Sequence, residues 1–378
     1  NLRERGELHS LYLIILIYIM DKLPERIRIK DIARLAEVSV GTVDRVLHGR
    51  PGVSKSSKGR VEKILKELNY HPNVYASALA SNKKYLLAYI LPEHKEGSYW
   101  CDIEKGIKSG SEAFNDFHLS ISPIYYDPYT PTTFDTCIQE VLALNPDGVV
   151  ISPTLPEKTF SLVGELNKAE IPFVFVDSNI AELNPLAFFG QNSVQSGYFA
   201  GRMLMLLAQQ ANQVVIFRHI QKKKNRLMNQ QQNREKGFRE YMSKYHPHCQ
   251  ILEVDVDVKL NSQEVEALLN TFFSEHPDIK CGLTLNSQVG VFGEYIEKHN
   301  LNNFHLLGYD LLERNIKCLK NGSVRFLIAQ QPVMQGYNCI DSLCRYLIFK
   351  KEVKQFNYMP IDLLTADNVD FYQEVREQ

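Results

Sequence analysis

The chain keeps two different apolar periods, and the change falls near residue 85. Before it, Ile29, Ile32, Ala33, Leu35 and Ala36 recur at the spacing of one helical face. Asp31 stands in the first turn, where the helix dipole favours an anion. Glu37-Val38-Ser39 breaks the pattern, and Ser39 is placed to cap a second helix, Val40–Leu47, with Val43, Val46 and Leu47 on its apolar face. Gly49-Arg50-Pro51-Gly52 stops it, and Ser54 caps a third helix with the stripe Val61, Ile64, Leu65 and Leu68. Two short helices on a tight turn, the second bearing Arg45, form a helix-turn-helix pattern. His71-Pro72-Asn73 then opens a short alanine-rich helix from Val74 to Ser81.

From Tyr85 onward, short apolar runs alternate with amphipathic ones. YLLAYILP, LSISPIYY, DGVVISP and IPFVFVDS are predicted strands, with helices over Ile103–Phe117, Thr133–Asn145 and Leu162–Ala169 between them. The alternation restarts with VQSGYFAGRMLMLLAQQ, NQVVIFRHI, REKGFREYMSKY, HCQILEVDV and the helix Glu264–Glu275, then IKCGLTLN, VGVFGEYIEKHN and NFHLLGYD. Such βα alternation predicts two doubly wound parallel sheets, hence a two-lobed α/β body behind an all-α N-terminal unit. The expected divisions are a helix-turn-helix domain at 28–72, a short connecting helix at 73–82 and a body at 85–378. Its first lobe takes about 85–183 and 328–356, its second about 187–327 and 357–378. Tyr125-Tyr126 and Phe188-Phe189 are expected in strand cores, Arg218–Arg226 as a solvated loop, and Asn229–Asn233 as a polar linker.

Charge sharpens this division. Residues 21–84 hold 14 Lys/Arg against 7 Asp/Glu, about +7, so the remainder carries about −8 of the net −1. A basic unit on an acidic body is the footprint of a nucleic-acid reader. Seven cysteines with no CxxC pair exclude a disulfide framework and predict reduced thiols in a cytoplasmic protein. No metal, cofactor or catalytic constellation is expected; P-loop and GxSxG motifs are absent. Leu11–Met20 is an apolar run too short to span a bilayer, and Met20 is expected to be the true start, leaving 1–19 as a non-native or mis-called extension without a membrane role.

IKDIARLAEVSVGTVDRVL, the GVS start of the third helix and LNYHPNVYASALA together resemble the lac repressor (LacI/GalR) family of bacterial transcription regulators over more than fifty residues. The resemblance implies a homodimer on palindromic operator DNA. Val40, Gly41 and Arg45 would meet base edges, and Ser39 and Thr42 phosphates. Asp44, where the family usually has serine, would accept from a cytosine amine or orient Arg45. Asn73, Ala76 and Leu79 would form the hinge helix's DNA face, Leu79 as a minor-groove wedge.

The body resembles type I periplasmic sugar-binding proteins. The ribose-binder pattern falls on Tyr99, Trp100, Asp177, Arg234, Asn286, Asp310 and Gln330, several of them just after predicted strands. Ser178 stands where ribose binders carry arginine. Carboxylates, amides, a guanidinium and rings suit a monosaccharide or related small sugar as effector. A purine-type effector on the same architecture, or an exported sugar-binding protein, are the alternatives. An enzyme is disfavoured, because no nucleophile–base pair accompanies these residues.

Overall fold

In a computed structural model, residues 27–220 and 229–372 are described, apart from 48, 69, 71–73 and 80. The apolar run Leu11–Met20, the expected extension 1–19 and Asn73 lie outside the described residues. The chain divides into two compact units, residues 1–80 and 81–378.

The first unit holds α1 (Ile29–Leu35), α2 (Val40–Leu47), α3 (Lys55–Glu67) and α4 (Val74–Leu79). Ile32, Ala33, Ala36, Val43 and Val61 form its core, with Ile64, Leu65 and Leu68 packed around it. Leu35, expected on the inner stripe, is instead 51% exposed. The α1–α2 turn is made by Glu37 at φ +52° and by Val38 N donating to Ala33 O at 3.0 Å. That six-to-one bond satisfies an orphan carbonyl at the helix end and reverses the chain in three residues. Ser54 Oγ accepts from Ser57 N at 3.1 Å, the cap foreseen for α3.

The second unit contains two six-stranded sheets. In the first, β1 (Tyr85–Pro92), β2 (Leu119–Tyr126), β3 (Gly148–Ile151), β4 (Phe173–Val176), β5 (Ala187–Gly190) and β11 (Phe356–Tyr358) lie in the order β11-β5-β4-β3-β1-β2. In the second, β6 (Gln213–Ile220), β7 (Gln250–Asp257), β8 (Cys281–Thr284), β9 (His305–Tyr309), β10 (Phe326–Ala329) and β12 (Asp362–Leu364) lie in the order β12-β10-β9-β8-β6-β7. All pairs are parallel except β10–β12. The two orders match strand for strand, a repeat absent from the sequence.

The helices are α5 (Tyr99–Glu112), α6 (Thr132–Leu144), α7 (Pro156–Lys168), α8 (Ser193–Leu207), α9 (Asn229–Tyr245), α10 (Ser262–Glu275), α11 (Val289–Lys298), α12 (Glu313–Lys320) and α13 (Pro332–Leu347). The expected lobe boundaries need correction. β5 pairs with β4, so the first sheet runs to Gly190 rather than about 183; β10 belongs to the second sheet and β11 to the first. Strands of three or four residues carry too few positions for a period to declare itself. The chain therefore passes between lobes three times, at 190–193, 329–332 and 358–362. Gln191 at the first passage donates through Nε2 to Ala329 O at 2.8 Å and to Pro360 O at 2.7 Å, tying it to the other two.

Each lobe has one helix pair in backbone contact. A Cβ on Gly106 of α5 would lie 1.9 Å from Val333 O of α13, and one on Gly336 2.1 Å from Ile103 O. In the other lobe, Gly197 of α8 would meet Arg234 O, and Gly237 of α9 would meet Val194 O, both at 1.8 Å. Only glycine permits these crossings.

Tyr125, expected in a strand core, is 40% exposed, whereas Tyr126, Phe188 and Phe189 are buried. Its hydroxyl turns to Glu104, which also accepts from Tyr89 Oη at 2.6 Å and pairs with Lys108 Nζ at 3.2 Å; His94 Nε2 lies at 3.2 Å. Burial alone would raise the Glu104 carboxyl, but these partners hold it at about 2. A carboxylate depressed in the fold stabilises it above the unfolded value near 4.5, and that contribution disappears as pH falls through about 2. Glu104→Gln is therefore expected to cost about 2–3 kcal/mol at neutral pH. Urea melts along a pH series should show the difference shrinking below pH 4.5; a difference independent of pH would remove the charge from the explanation.

Candidate functional site

The seven expected cleft residues come together near the carboxyl ends of parallel strands, where open α/β sheets present ligands. Asp177 follows β4 and Asp310 follows β9, at φ +70° and +71°. Since β4 and β9 hold the same place in the two sheet orders, the aspartates are counterparts, one per lobe. Aspartate tolerates this left-handed backbone better than most side chains, so it can turn the chain and still present a carboxylate. Gln330 follows β10, Arg234 lies on α9, and Tyr99 and Trp100 form the first turn of α5, capped by Ser98.

One chain of hydrogen bonds joins Tyr99, Asp177, Arg234, Gln330 and Asp310. Tyr99 Oη and Gln230 Nε2 each donate to Asp177 Oδ1 at 2.6 Å. Gln230 Nε2 also lies 3.1 Å from Gln330 Oε1, which accepts from Arg234 Nη2 at 2.5 Å. Gln330 Nε2 donates to Asp310 Oδ1 at 2.7 Å. Arg234 has no exposed surface; its Nη1 donates to Leu285 O at 2.8 Å, and its guanidinium lies 3.8 Å from the Tyr309 ring centroid. Burial raises the Asp177 carboxyl above its ordinary value, against the lowering effect of Tyr99, Arg234 and Gln230. Burial likewise pushes the Tyr99 phenol well up, keeping it a neutral donor. The walls of this cavity, of about 70 Å³, present carboxylates, amides, hydroxyls and the Tyr99 and Trp100 rings.

Asn286 is the seventh residue. It walls the same cavity, but its Oδ1 accepts from Gln288 N at 3.0 Å, so its carbonyl first shapes the entry to α11. Sequence reasoning missed Gln230 and Gln335. The NQQQN segment, expected to be a linker, opens α9; in it Gln231 is buried, Gln230 is half-buried, and both wall the cavity. Gln335 on α13 donates to Gln330 O at 2.7 Å and lies 3.3 Å from Tyr99 Oη. Asn315 fixes the Asp310 turn, its Nδ2 reaching Ser287 O, Tyr309 O and Asp310 O at 2.9–3.1 Å while its Oδ1 accepts from Gly290 N. A buried asparagine bridging separate loops leaves no periodic signal. Arg218, expected in a loop, lies within β6 and pairs with Asp255 at 2.7 Å; residues 221–226 of that expected loop lie outside the described residues.

In the first unit, Ser39 Oγ accepts from Thr42 N at 3.1 Å and lies 2.9 Å from Thr42 Oγ1, capping α2. Val40, Gly41 and Arg45 are exposed on α2, and Leu79 is exposed at the end of α4. Asp44 pairs with Arg50 at 3.1 Å, and Arg50 N is bonded to Arg45 O at 2.8 Å. Of Ala76, its place on α4 is described. Among the described residues, no helix is long and apolar enough to cross a membrane, and no group of three His, Cys, Asp or Glu could hold a metal ion.

Comparison with known proteins agrees with both units. Residues 28–73 match the family model described as bacterial regulatory proteins, lacI family, and residues 87–351 the periplasmic binding protein domain. A crystal structure from Bacteroides fragilis, named as a LacI transcriptional regulator, is 50% identical, with a TM-score of 0.73, and covers 77% of this chain and 100% of its own. The HTH-type transcriptional regulator MalR of Streptococcus pneumoniae is 29% identical over 175 residues, 46% of this chain and 52% of that protein. Catabolite control protein A of Staphylococcus aureus is 29% identical over 164 residues, 42% of this chain and 47% of that protein. The chain spans about half the length of these curated relatives.

Proposed function

We propose, from the premise that this chain belongs to the lacI family of bacterial regulatory proteins and is for most of its length a periplasmic binding protein domain, that it is a DNA-binding transcription regulator controlled by a small sugar. One observation carries the reading: hydrogen bonds run unbroken from Tyr99 and Asp177 of one lobe through Gln230 to Gln330 and Asp310 of the other. A hydroxylated ligand entering this chain exchanges bonds with both lobes and so favours one lobe arrangement over another. The carboxylates accept from hydroxyls, the amides do both, and Tyr99 and Trp100, 5.2 Å apart, offer ring faces and edges to C–H surfaces. As a cytoplasmic homodimer, the protein would place one α2 on each half-site of a pseudo-palindromic operator, with Leu79 at its centre. A coupling of about 1–3 kcal/mol between sugar and operator is the expected scale.

The test is a Trp100 fluorescence titration of the full chain against monosaccharides and nucleobases, paired with operator binding at each saturating ligand. A sugar that changes both supports the reading. Response to purines alone replaces the sugar with the alternative effector. On the DNA side, Arg45→Ala is expected to cost about 1–3 kcal/mol on operator and much less on random DNA. Equal loss on both, with a shallower salt dependence, makes Arg45 a phosphate contact.

A further inference from the structure

Asn286 walls a second, larger cavity as well, about 590 Å³, between α10 and α11 of the second lobe. The clamp's own 70 Å³ is little more than the share of two water molecules and lies below the roughly 300–1,000 Å³ typical of small-molecule sites. The adjoining chamber falls inside that range. Tyr129 reaches its wall from the β2–α6 loop, so the chamber, like the clamp, is bounded by both lobes.

The charges of the chamber say what it accepts. Lys298 Nζ lies 2.6 Å from Glu266 Oε1, and Arg314 Nε 2.7 Å from Glu294 Oε1. Asp257, the third carboxylate of the wall, accepts from Lys259 N at 3.0 Å. Burial holds His219 down at about 4, so it stays neutral at physiological pH. Among the described residues of the wall, then, each cation faces a carboxylate, and the uncompensated charge is negative. Among the described residues, a phosphate or sugar acid would meet three carboxylates against two cations, each cation already paired. Carboxylate and amide acceptors beside a half-exposed tyrosine ring suit an uncharged, hydroxyl-rich ligand.

Resting on the sugar reading above, we propose that the chamber receives the second residue of a neutral oligosaccharide whose terminal unit occupies the clamp. Asn286 stands where the two units join. Because Tyr129 and the α10–α11 wall come from different lobes, the second residue adds contacts that depend on lobe closure.

Calorimetric titration of the full chain with glucose, galactose and xylose, and with maltose, cellobiose, lactose and xylobiose, tests this. At least one disaccharide should bind about tenfold or more tightly than its constituent monosaccharide. Two substitutions at exposed rim positions, Gln288→Phe and Ser262→Tyr, narrow the chamber without touching the clamp. Each should weaken the disaccharide by about tenfold while changing the monosaccharide by less than about twofold. A disaccharide bound no more tightly than its monosaccharide, or unaffected by both variants, overturns the chamber and leaves the sugar reading standing. Silence toward every sugar of either length overturns both.

Discussion

Arg234→Met is expected to abolish the response to effector while leaving ligand-independent DNA binding in place. The side chain has no exposed surface and serves three partners: Gln330 Oε1, Leu285 O and the Tyr309 ring. Methionine fills much of the volume but donates nothing, so two buried acceptors lose a charged donor. Removing one side of such a buried polar set costs about 3–5 kcal/mol, and effector affinity should fall by about a hundredfold or more. Gln330 would lose the donor that orients it toward Asp310, so the clamp fails at a second point. The helix-turn-helix unit has its own core and should keep its fold. Tryptophan titration, a thermal melt and a mobility shift on the same preparation separate these effects. Arg234→Lys retains charge without the two-pronged geometry and should recover stability more than affinity. An Arg234→Met protein that titrates normally would remove Arg234 from the clamp.

The second large effect comes from glycine. Gly197→Ala places a methyl group 1.8 Å from Arg234 O, a backbone atom that cannot turn aside. The α8–α9 crossing must open, at a cost of about 3 kcal/mol or more, and Arg234 moves with it. Gly164, inside α7, is the opposite case: a methyl group added there would meet nothing within 4 Å, and its backbone is not left-handed. Gly164→Ala should therefore stabilise the protein by about 0.5–1 kcal/mol through helix propensity. Urea unfolding of the two variants should move in opposite directions. Similar midpoints would mean that the helices slide apart at little cost.

The helix-turn-helix was readable because its signals are local: caps at Ser39 and Ser54, stripes at Val43 and Val61, and a stop at Gly49. Asp177, Asp310 and Gln330 were readable because each follows a buried run, and position after a strand is itself information in this fold. Gln230 was not. Its helix starts with eight polar residues, Asn229–Lys236, and the apolar face begins at Gly237 and Phe238, so the first two turns have no period to detect. The partner of Asp44 was equally hidden, since it depends on how the turn to Arg50 folds. The match between the two sheets is one of backbone path, carried by different side chains in each lobe.

The strand order has a consequence for biosynthesis. β5 is complete when Gly190 has left the ribosome, but its outer neighbour β11 arrives only with Phe356, and β10 likewise awaits β12. At roughly 5–20 residues per second, the edge of β5 stays open for on the order of ten seconds or more. Its AFFG backbone, flanked by buried phenylalanines, then offers unpaired donors and acceptors to any neighbouring nascent chain. A chain interrupted before Phe356 would carry two such edges and be a substrate for chaperones or aggregation, even with every ligand-clamp residue already synthesised.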